Sequence, residues 1–353
     1  MLQLSRAWQR SLLRLSLLGT LLIPIQYIYF PSITHIPPSP PSAMAPPPSP
    51  SDVARTLLAS KGLELQSLQV LQSLWAGYGQ ICRITATPKP PPSSGSTSRT
   101  NSTSASNISP PHDPQSFILK LIAPPSTTTT TSSEGHIRKI LSYQVEQYFY
   151  TTLAPKLPPS IPTAQVLASM NEAHADGTIT IATILSDLKQ NYPVAGEKRE
   201  VLTPVQVHAA LDWLADFHGF WWSRVGDMDY RTLVRPPLEE VHRDDDDAPR
   251  KTVWLNGGYT YLATRLSEYT TLTHNHSSEW RRPLTQATRE QVSVSELIAS
   301  ILVPTEKGSG SVSAEYMTLL HGDVKSENLF TSADGKTVVF YDFQYTGLGL
   351  GVC

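Results

Sequence analysis

A chain of 353 residues with 40% hydrophobic content is long enough for two domains around a buried core. Its 28 Lys and Arg against 30 Asp and Glu leave a formal charge of -2, which excludes the basic footprint of a nucleic-acid binder. Two cysteines, Cys82 and Cys353, exclude a disulfide framework and point to a reducing compartment, so a cytoplasmic location is expected.

Residues 1–30 carry Arg6, Arg10 and Arg14, no acidic residue, and an apolar run from Leu15 to Phe30 broken by Pro24 and Gln26. The run lacks the roughly 20 consecutive apolar residues that crossing a bilayer needs. Three readings stand side by side: a signal anchor, a mitochondrial targeting segment, or a leader of no structural consequence. Membrane contact is expected only through residues 11–30. Pro31 to Pro50 is a Pro- and Ser-rich spacer, expected to be extended and disordered. Met44 lies inside it, just ahead of what looks like the start of a soluble domain, so translation from Met1 and from Met44 both stand. Residues 1–49 are set apart as leader and spacer.

Ser51 or Asp52 is placed to cap a helix running to Lys61, with Gly62 as its stop. Leu68–Leu74 and Ile81–Thr85 read as strands on either side of a turn holding Gly77 and Gly79. Pro88 to Gln115 is too polar and repetitive to bury a core and reads as a disordered insertion. Ser116–Ile122 resumes as a nearly all-apolar strand with one charge, Lys120, which asks for a partner or a route to solvent. After a second polar break, Thr127–Ser133, helical periodicity runs from Gly135 to Leu153 through Ile137, Ile140, Leu141, Val145 and Phe149. Glu146 falls on the rim of that helix, where Lys120 could meet it. Glu134, before the periodic run, reads as a cap. Ile179–Leu185 alternates as a strand and leads into Ser186-Asp187-Leu188, with Asp187 a turn or cap residue.

Thr203-Pro204-Val205-Gln206 has the pattern of a capping box with Pro at the first helical position. The helix behind it, Val207–Trp222, is expected to bury Leu211, Leu214, Ala215 and Phe217, with His218 and the Trp213, Trp221 and Trp222 cluster as packing residues. Arg243–Asp247 reads as a solvated charged loop. Tyr261–Leu272 and Val292–Leu302 read as helices, His274-Asn275-His276 as lacking companion metal ligands, and Lys307–Ser313 as a flexible link.

The chemistry concentrates near the end, in His321-Gly322-Asp323-Val324-Lys325-Ser326-Glu327-Asn328-Leu329-Phe330 and then Val338-Val339-Phe340-Tyr341-Asp342-Phe343-Gln344. Apolar Leu319-Leu320 and Leu329-Phe330 pin a short polar loop at both ends. Asp334-Gly335 reads as the turn of a hairpin that carries Asp342 back beside Asn328. An Asp and an Asn five positions apart, with a second Asp after a strand, is what phosphoryl transfer from a nucleotide requires. One carboxylate takes the proton of an attacking hydroxyl, while an amide oxygen and another carboxylate hold Mg2+ on the phosphates. Capping residues on a surface loop give a single such match by chance; three matched elements in order do so far less often.

His-Gly-Asp-x-x-x-x-Asn followed by Asp-Phe-Gln resembles the small-molecule branch of the protein-kinase-like fold: aminoglycoside phosphotransferases, choline and ethanolamine kinases, and the CHK kinase-like group. The resemblance implies an α+β, two-lobed fold, with a mostly antiparallel β N-lobe over 50–188 and a helical C-lobe over 189–353. It implies that Asp323 is the catalytic base, that Asn328 and Asp342 are the magnesium ligands, and that His321 braces the loop. Lys120, paired with Glu146, would sit on the nucleotide phosphates, Gly77 and Gly79 in a phosphate-covering loop that lacks a third Gly, and Leu188 at the hinge where adenine bonds. Gly322 stands where protein kinases carry an Arg that pairs with a phosphorylated loop, which favours a small-molecule kinase. Lys325 departs toward the protein-kinase pattern, where such a Lys touches the transferred phosphate. The expected function is ATP- and Mg2+-dependent phosphorylation of a small-molecule hydroxyl. The alternatives are a non-catalytic nucleotide-binding scaffold and a protein kinase. The family continues well past the second metal ligand, whereas this sequence stops at Cys353, so the C-lobe reads as truncated, a cut-short chain or a degraded relative.

Overall fold

The computed structural model describes residues 48–74, 77–89, 113–124, 133–174, 178–243, 250–258, 261–302 and 315–351. The expectations for the leader and spacer up to residue 47, for most of the 88–115 insertion, for the break before Ser133, for the acidic run 244–247 and for the link 307–313 lie outside these residues. No helix among the described residues is long and apolar enough to cross a membrane.

Helix α1, Pro50–Ala59, is capped by Ser49, whose hydroxyl accepts from the Asp52 amide at 3.1 Å. The cap therefore falls two residues before Ser51, because Pro50 fits the first helical position, where no N–H is needed. Strand β1, Leu63–Ser73, begins five residues before the expected Leu68. It pairs with β2, Gly79–Pro88, along its length, but register shifts between Leu65 and Ser67 and between Val70 and Gln72 break the alternation that sequence reading depends on. With β3 (Gln115–Ile122), β4 (Val166–Ala173) and β5 (Ile179–Ser186), these strands form an antiparallel sheet of order β1-β2-β3-β5-β4.

Alternation along β3 decides the placement of its one charge. Leu119 and Leu121 face α1, where they pack with Leu58, Ile84 and Ile184. Lys120 lies between them in sequence and so points to the opposite face. That face is covered by α2, Glu134–Tyr148, whose Tyr143 packs with Ile122 and Ile181. The helix runs on through a π-helical turn, Phe149–Leu153, which brings Phe149, Tyr150 and Leu153 all into the core.

The larger lobe begins with the short β6, Val194–Ala195, and α3, Pro204–Trp222. The Thr203–Gln206 capping box is present. The buried stripe of α3 is Ala209, Ala210, Trp213, Phe217 and Trp221, whereas Leu211 is 56% exposed and Ala215 is exposed. The expected burial of those two fails because three aromatic rings spaced by four claim the core, and a residue two positions from Trp213 lies about 200° round the helix. His218 Nδ1 donates to the Gly351 carbonyl, 3.1 Å away, and burial holds its imidazole below the ordinary 6.5. A depressed histidine stabilises the fold above the unfolded value and loses that contribution as the pH falls. The stability gap between the parent and His218→Gln, from urea titrations, should therefore narrow between pH 7 and pH 5; a widening gap would contradict it.

Next come α4 (Pro237–Glu240), α5 (Leu266–His274), α6 (Arg281–Thr285) and α7 (Val294–Leu302). The single helix expected over 261–272 is divided, with a 3-10 turn at Leu262–Thr264 and α5 starting after Arg265. Strands β7 (Met317–Leu320) and β10 (Gly347–Leu350) pair with each other. β8 (Leu329–Thr331) lies between β6 and β9 (Val338–Phe340), so β8 and β9 form the hairpin read at Asp334-Gly335.

Candidate active site

The loop after β7 is built on a buried imidazole. His321 is fully buried, its Nε2 lies 2.9 Å from the Tyr341 carbonyl, and its Nδ1 accepts from the Asp323 amide at 3.2 Å. Both bonds require the neutral ring with its proton on Nε2. Burial holds the pKa of His321 below its ordinary value, against the pull of the Tyr341 carbonyl, Asp342 and Asp323. One side chain thus ties the start of the loop to the end of the hairpin.

Gly322 has φ +86, and a Cβ there would lie 2.0 Å from the Tyr345 carbonyl oxygen. The absence of a side chain is enforced by the backbone of the following loop, and an Arg has no room. Gly322→Ala should destabilise the protein by about 1–3 kcal/mol; an unshifted urea midpoint would contradict this.

Asp323 Oδ2 accepts from Asn328 Nδ2 at 3.0 Å and from Lys325 Nζ at 3.0 Å, and Asn328 Nδ2 also reaches the Asp323 carbonyl at 2.9 Å. Lys325 bridges on to Glu327 at 3.3 Å. Burial opposes the charge on Lys325, but Asp323 and Glu327 outweigh it and raise the pKa. The Tyr341 amide donates to the Asn328 carbonyl at 3.0 Å, which brings Asp342 beside Asn328. Asp342 itself takes φ +64, a left-handed conformation that an ordinary side chain adopts at a cost of about 1–3 kcal/mol and that clusters at functional sites.

The two lobes meet at Lys120. Its Nζ lies 2.6 Å from Glu146 Oε2 and 3.1 Å from Asp342 Oδ1, with side-chain exposures of 11% for Lys120, 7% for Glu146 and 27% for Asp342. Burial alone would lower the lysine pKa, but Asp342 and Glu146 reverse this, so Lys120 stays charged. The Glu146 carboxyl is pushed up by burial; Lys120 pulls it down and Asp342 adds to the rise. Two carboxylates share one ammonium.

The glycine turn stands at the same end of the sheet. Gly79 pairs with Ile122, two residues along β3 from Lys120. A Cβ on Gly79, at φ +150, would meet the Leu121 carbonyl oxygen at 1.9 Å, so close strand pairing by itself demands this glycine. Gly77, at φ +72, faces open space. Of the turn between β1 and β2, residues 75 and 76 lie outside the described residues. Asp187 caps the 3-10 turn Leu188–Gln190 and pairs with Arg83 at 2.9 Å and Ser116 at 2.8 Å. The Leu188 carbonyl accepts from the Asn191 and Tyr192 amides at 3.1 and 2.9 Å.

Two further residues gather at this site without a motif position that predicts their contacts. Tyr143 presents its ring 5.6 Å from Lys120 Nζ, and its i,i+3 spacing from Glu146 was the available signal. Phe343 stacks on Phe149 at 3.7 Å and packs near His321 at 4.5 Å, joining the π-helical turn after α2 to the loop after β7. The Asp-Phe-Gln match contains it but does not give its packing, since its neighbours Phe149, Phe217 and His321 come from three distant segments.

A divalent ion fits this donor set. The Asn328 amide nitrogen is committed to Asp323, so its oxygen is the atom left to coordinate, and one Asp342 oxygen remains beside that held by Lys120. Among the described residues no group of three His, Cys, Asp or Glu forms a cage. One amide and one carboxylate oxygen suit Mg2+, which keeps several waters and binds chiefly through substrate phosphates.

The sheet, the bracing imidazole and the Lys–Glu pair define a two-lobed α+β protein of the kinase-like class. A model of the ecdysteroid kinase-like family matches residues 98–349, and the chain belongs to that family. No curated protein matches the chain. Among solved structures, amicoumacin kinase hAmiN in complex with AMP-PNP, Ca2+ and Ami aligns with 85% of this chain at 13% identity and a TM-score of 0.34. The chain spans 64% of the length of that kinase.

Proposed function

We propose that this protein transfers the γ-phosphoryl group of ATP to a hydroxyl of a small molecule. The observation that carries the reading is the convergence of Lys120, Glu146 and Asp342 beside a loop in which Asp323 and Asn328 are hydrogen-bonded to each other. In this reading Glu146 orients Lys120, and the ammonium holds the nucleotide phosphates. Asn328 and Asp342 would hold Mg2+, which would supply charge to offset that of the phosphates. The Gly77–Gly79 turn covers the phosphates and the N–H of Leu188 meets the base. Asp323 accepts the proton of the attacking hydroxyl, and its pairing with Asn328 and Lys325 fixes the carboxylate for that task. Lys325, held by Asp323 and Glu327, steadies the transferred group.

The family name adds hydroxylated steroids to the acceptors worth testing, beside amino alcohols and aminoglycosides. The test is transfer of labelled γ-phosphate from Mg-ATP to that panel by the purified protein. A labelled small-molecule product is expected. Tight Mg-ATP binding with no transfer to any acceptor would overturn the enzymatic reading, and label on a generic protein acceptor instead would overturn the small-molecule one.

A further inference from the structure

Helix α2 carries Glu146, so whatever fixes α2 fixes the Lys120 pair. Its C-terminal end is held to the sheet by Gln147, whose amide donates to the Met170 carbonyl at 2.8 Å and the Ala182 carbonyl at 3.3 Å. Its middle packs on Val234 and Trp254 through Leu141 and Val145. The first two turns are different, because their buried residues are the charged Glu134 and Arg138.

A buried charge is costly unless bonded, and both of these are bonded to one place. Glu134 accepts from the Leu266 and Ser267 amides at 3.0 and 2.9 Å, closing the exposed N-terminus of α5. Arg138, one turn further on the same face, donates to the Thr264 carbonyl at 2.5 Å and to Glu268 at 3.0 Å. Glu134 thus satisfies two of the N–H groups left open at the start of α5, and the 264–268 segment in turn accepts from the Arg138 guanidinium. Glu134 does act as a cap, but for a helix some 130 residues away in sequence.

We propose that Glu134 and Arg138 are positioning residues for the Lys120–Glu146 pair, clamping α2 to the 264–268 segment so that nucleotide affinity depends on that junction. The proposal rests on the nucleotide-binding reading of the pair. An α-helix is stiff along its axis, and Glu146 lies about 18 Å from Glu134 on the same helix. An axial shift or rotation at the clamp is therefore passed to the carboxylate, where a 2.6 Å contact tolerates little displacement.

The test is calorimetric affinity for Mg-AMP-PNP, measured well below each variant's melting temperature. The double variant Glu134→Gln, Arg138→Met is expected to bind about tenfold more weakly, and Arg138→Lys, which keeps a donor, to fall in between. Leu58→Ala, which opens a cavity on the far face of the sheet, should lower the melting temperature without changing affinity. If the double variant does not fold, Glu268→Gln carries the test, with about fivefold weaker binding expected. Parent-like affinity in the clamp variants, or an equal loss in Leu58→Ala, would overturn the clamp. Failure of the parent itself to bind Mg-AMP-PNP would instead remove the nucleotide reading, and the clamp with it.

Discussion

Asp323→Asn is expected to slow phosphoryl transfer by about 10²–10⁴-fold, the usual contribution of a positioned general base, while leaving Mg-AMP-PNP affinity and the melting temperature close to those of the parent. The expectation follows from what the substitution spares. Asn328 still reaches the main-chain carbonyl of residue 323, and an amide oxygen at 323 still accepts from Asn328 and Lys325. The His321 bridge to the residue-323 amide and the Tyr341 carbonyl does not involve the altered side chain. What disappears is the basicity of the carboxylate. Single-turnover transfer to whichever acceptor the parent phosphorylates, read beside calorimetric nucleotide binding, checks both halves. Equal transfer rates would take the base role away from Asp323.

Lys120→Met should have the largest effect on stability, about 3–5 kcal/mol, because it leaves Glu146 buried without its countercharge. The loss should depend on pH. Without Lys120 the Glu146 carboxyl, already pushed up by burial, is driven to hold its proton in the folded state, whereas in the unfolded chain it ionises near 4.5. A carboxyl with a raised folded pKa loses stability as the pH climbs past the unfolded value, so the deficit should grow from pH 5 to pH 8. The double variant Lys120→Met, Glu146→Leu should recover most of the stability, since apolar pairs replace buried ion pairs at little cost. It should not recover nucleotide affinity. Denaturant titrations at the two pH values test the first claim, and a deficit that shrinks with rising pH would refute it. A double variant that binds Mg-AMP-PNP like the parent would refute the second.

The two residues illustrate different kinds of legibility. Asp323 and Asn328 lie five apart on one loop, so their hydrogen bond is a local matter and the spacing alone brings them together. Lys120 and Glu146 are also readable, because a lone charge in an apolar strand demands a partner and the helix that follows offers one. Glu134 was read as a cap, but which helix it caps was not readable, since Leu266 and Ser267 lie in another lobe. The stripe of α3 differs from the expected one at Leu211 and Ala215, where helical periodicity fits more than one face until the aromatic rings find their partners.

The order of hydrophobic and polar residues along the chain determined the strands β3 and β5, the helix bearing Glu146 and the hairpin after Asn328. These depend on periodicity and on turn chemistry, which are local properties. Tertiary structure alone decided that Asp342 shares Lys120 with Glu146, that Gly322 is bare because the Tyr345 carbonyl passes 2.0 Å from where its Cβ would be, and that Phe343 joins three segments. Each of those depends on which distant backbones pack together, and packing is settled by the whole core rather than by any stretch of sequence.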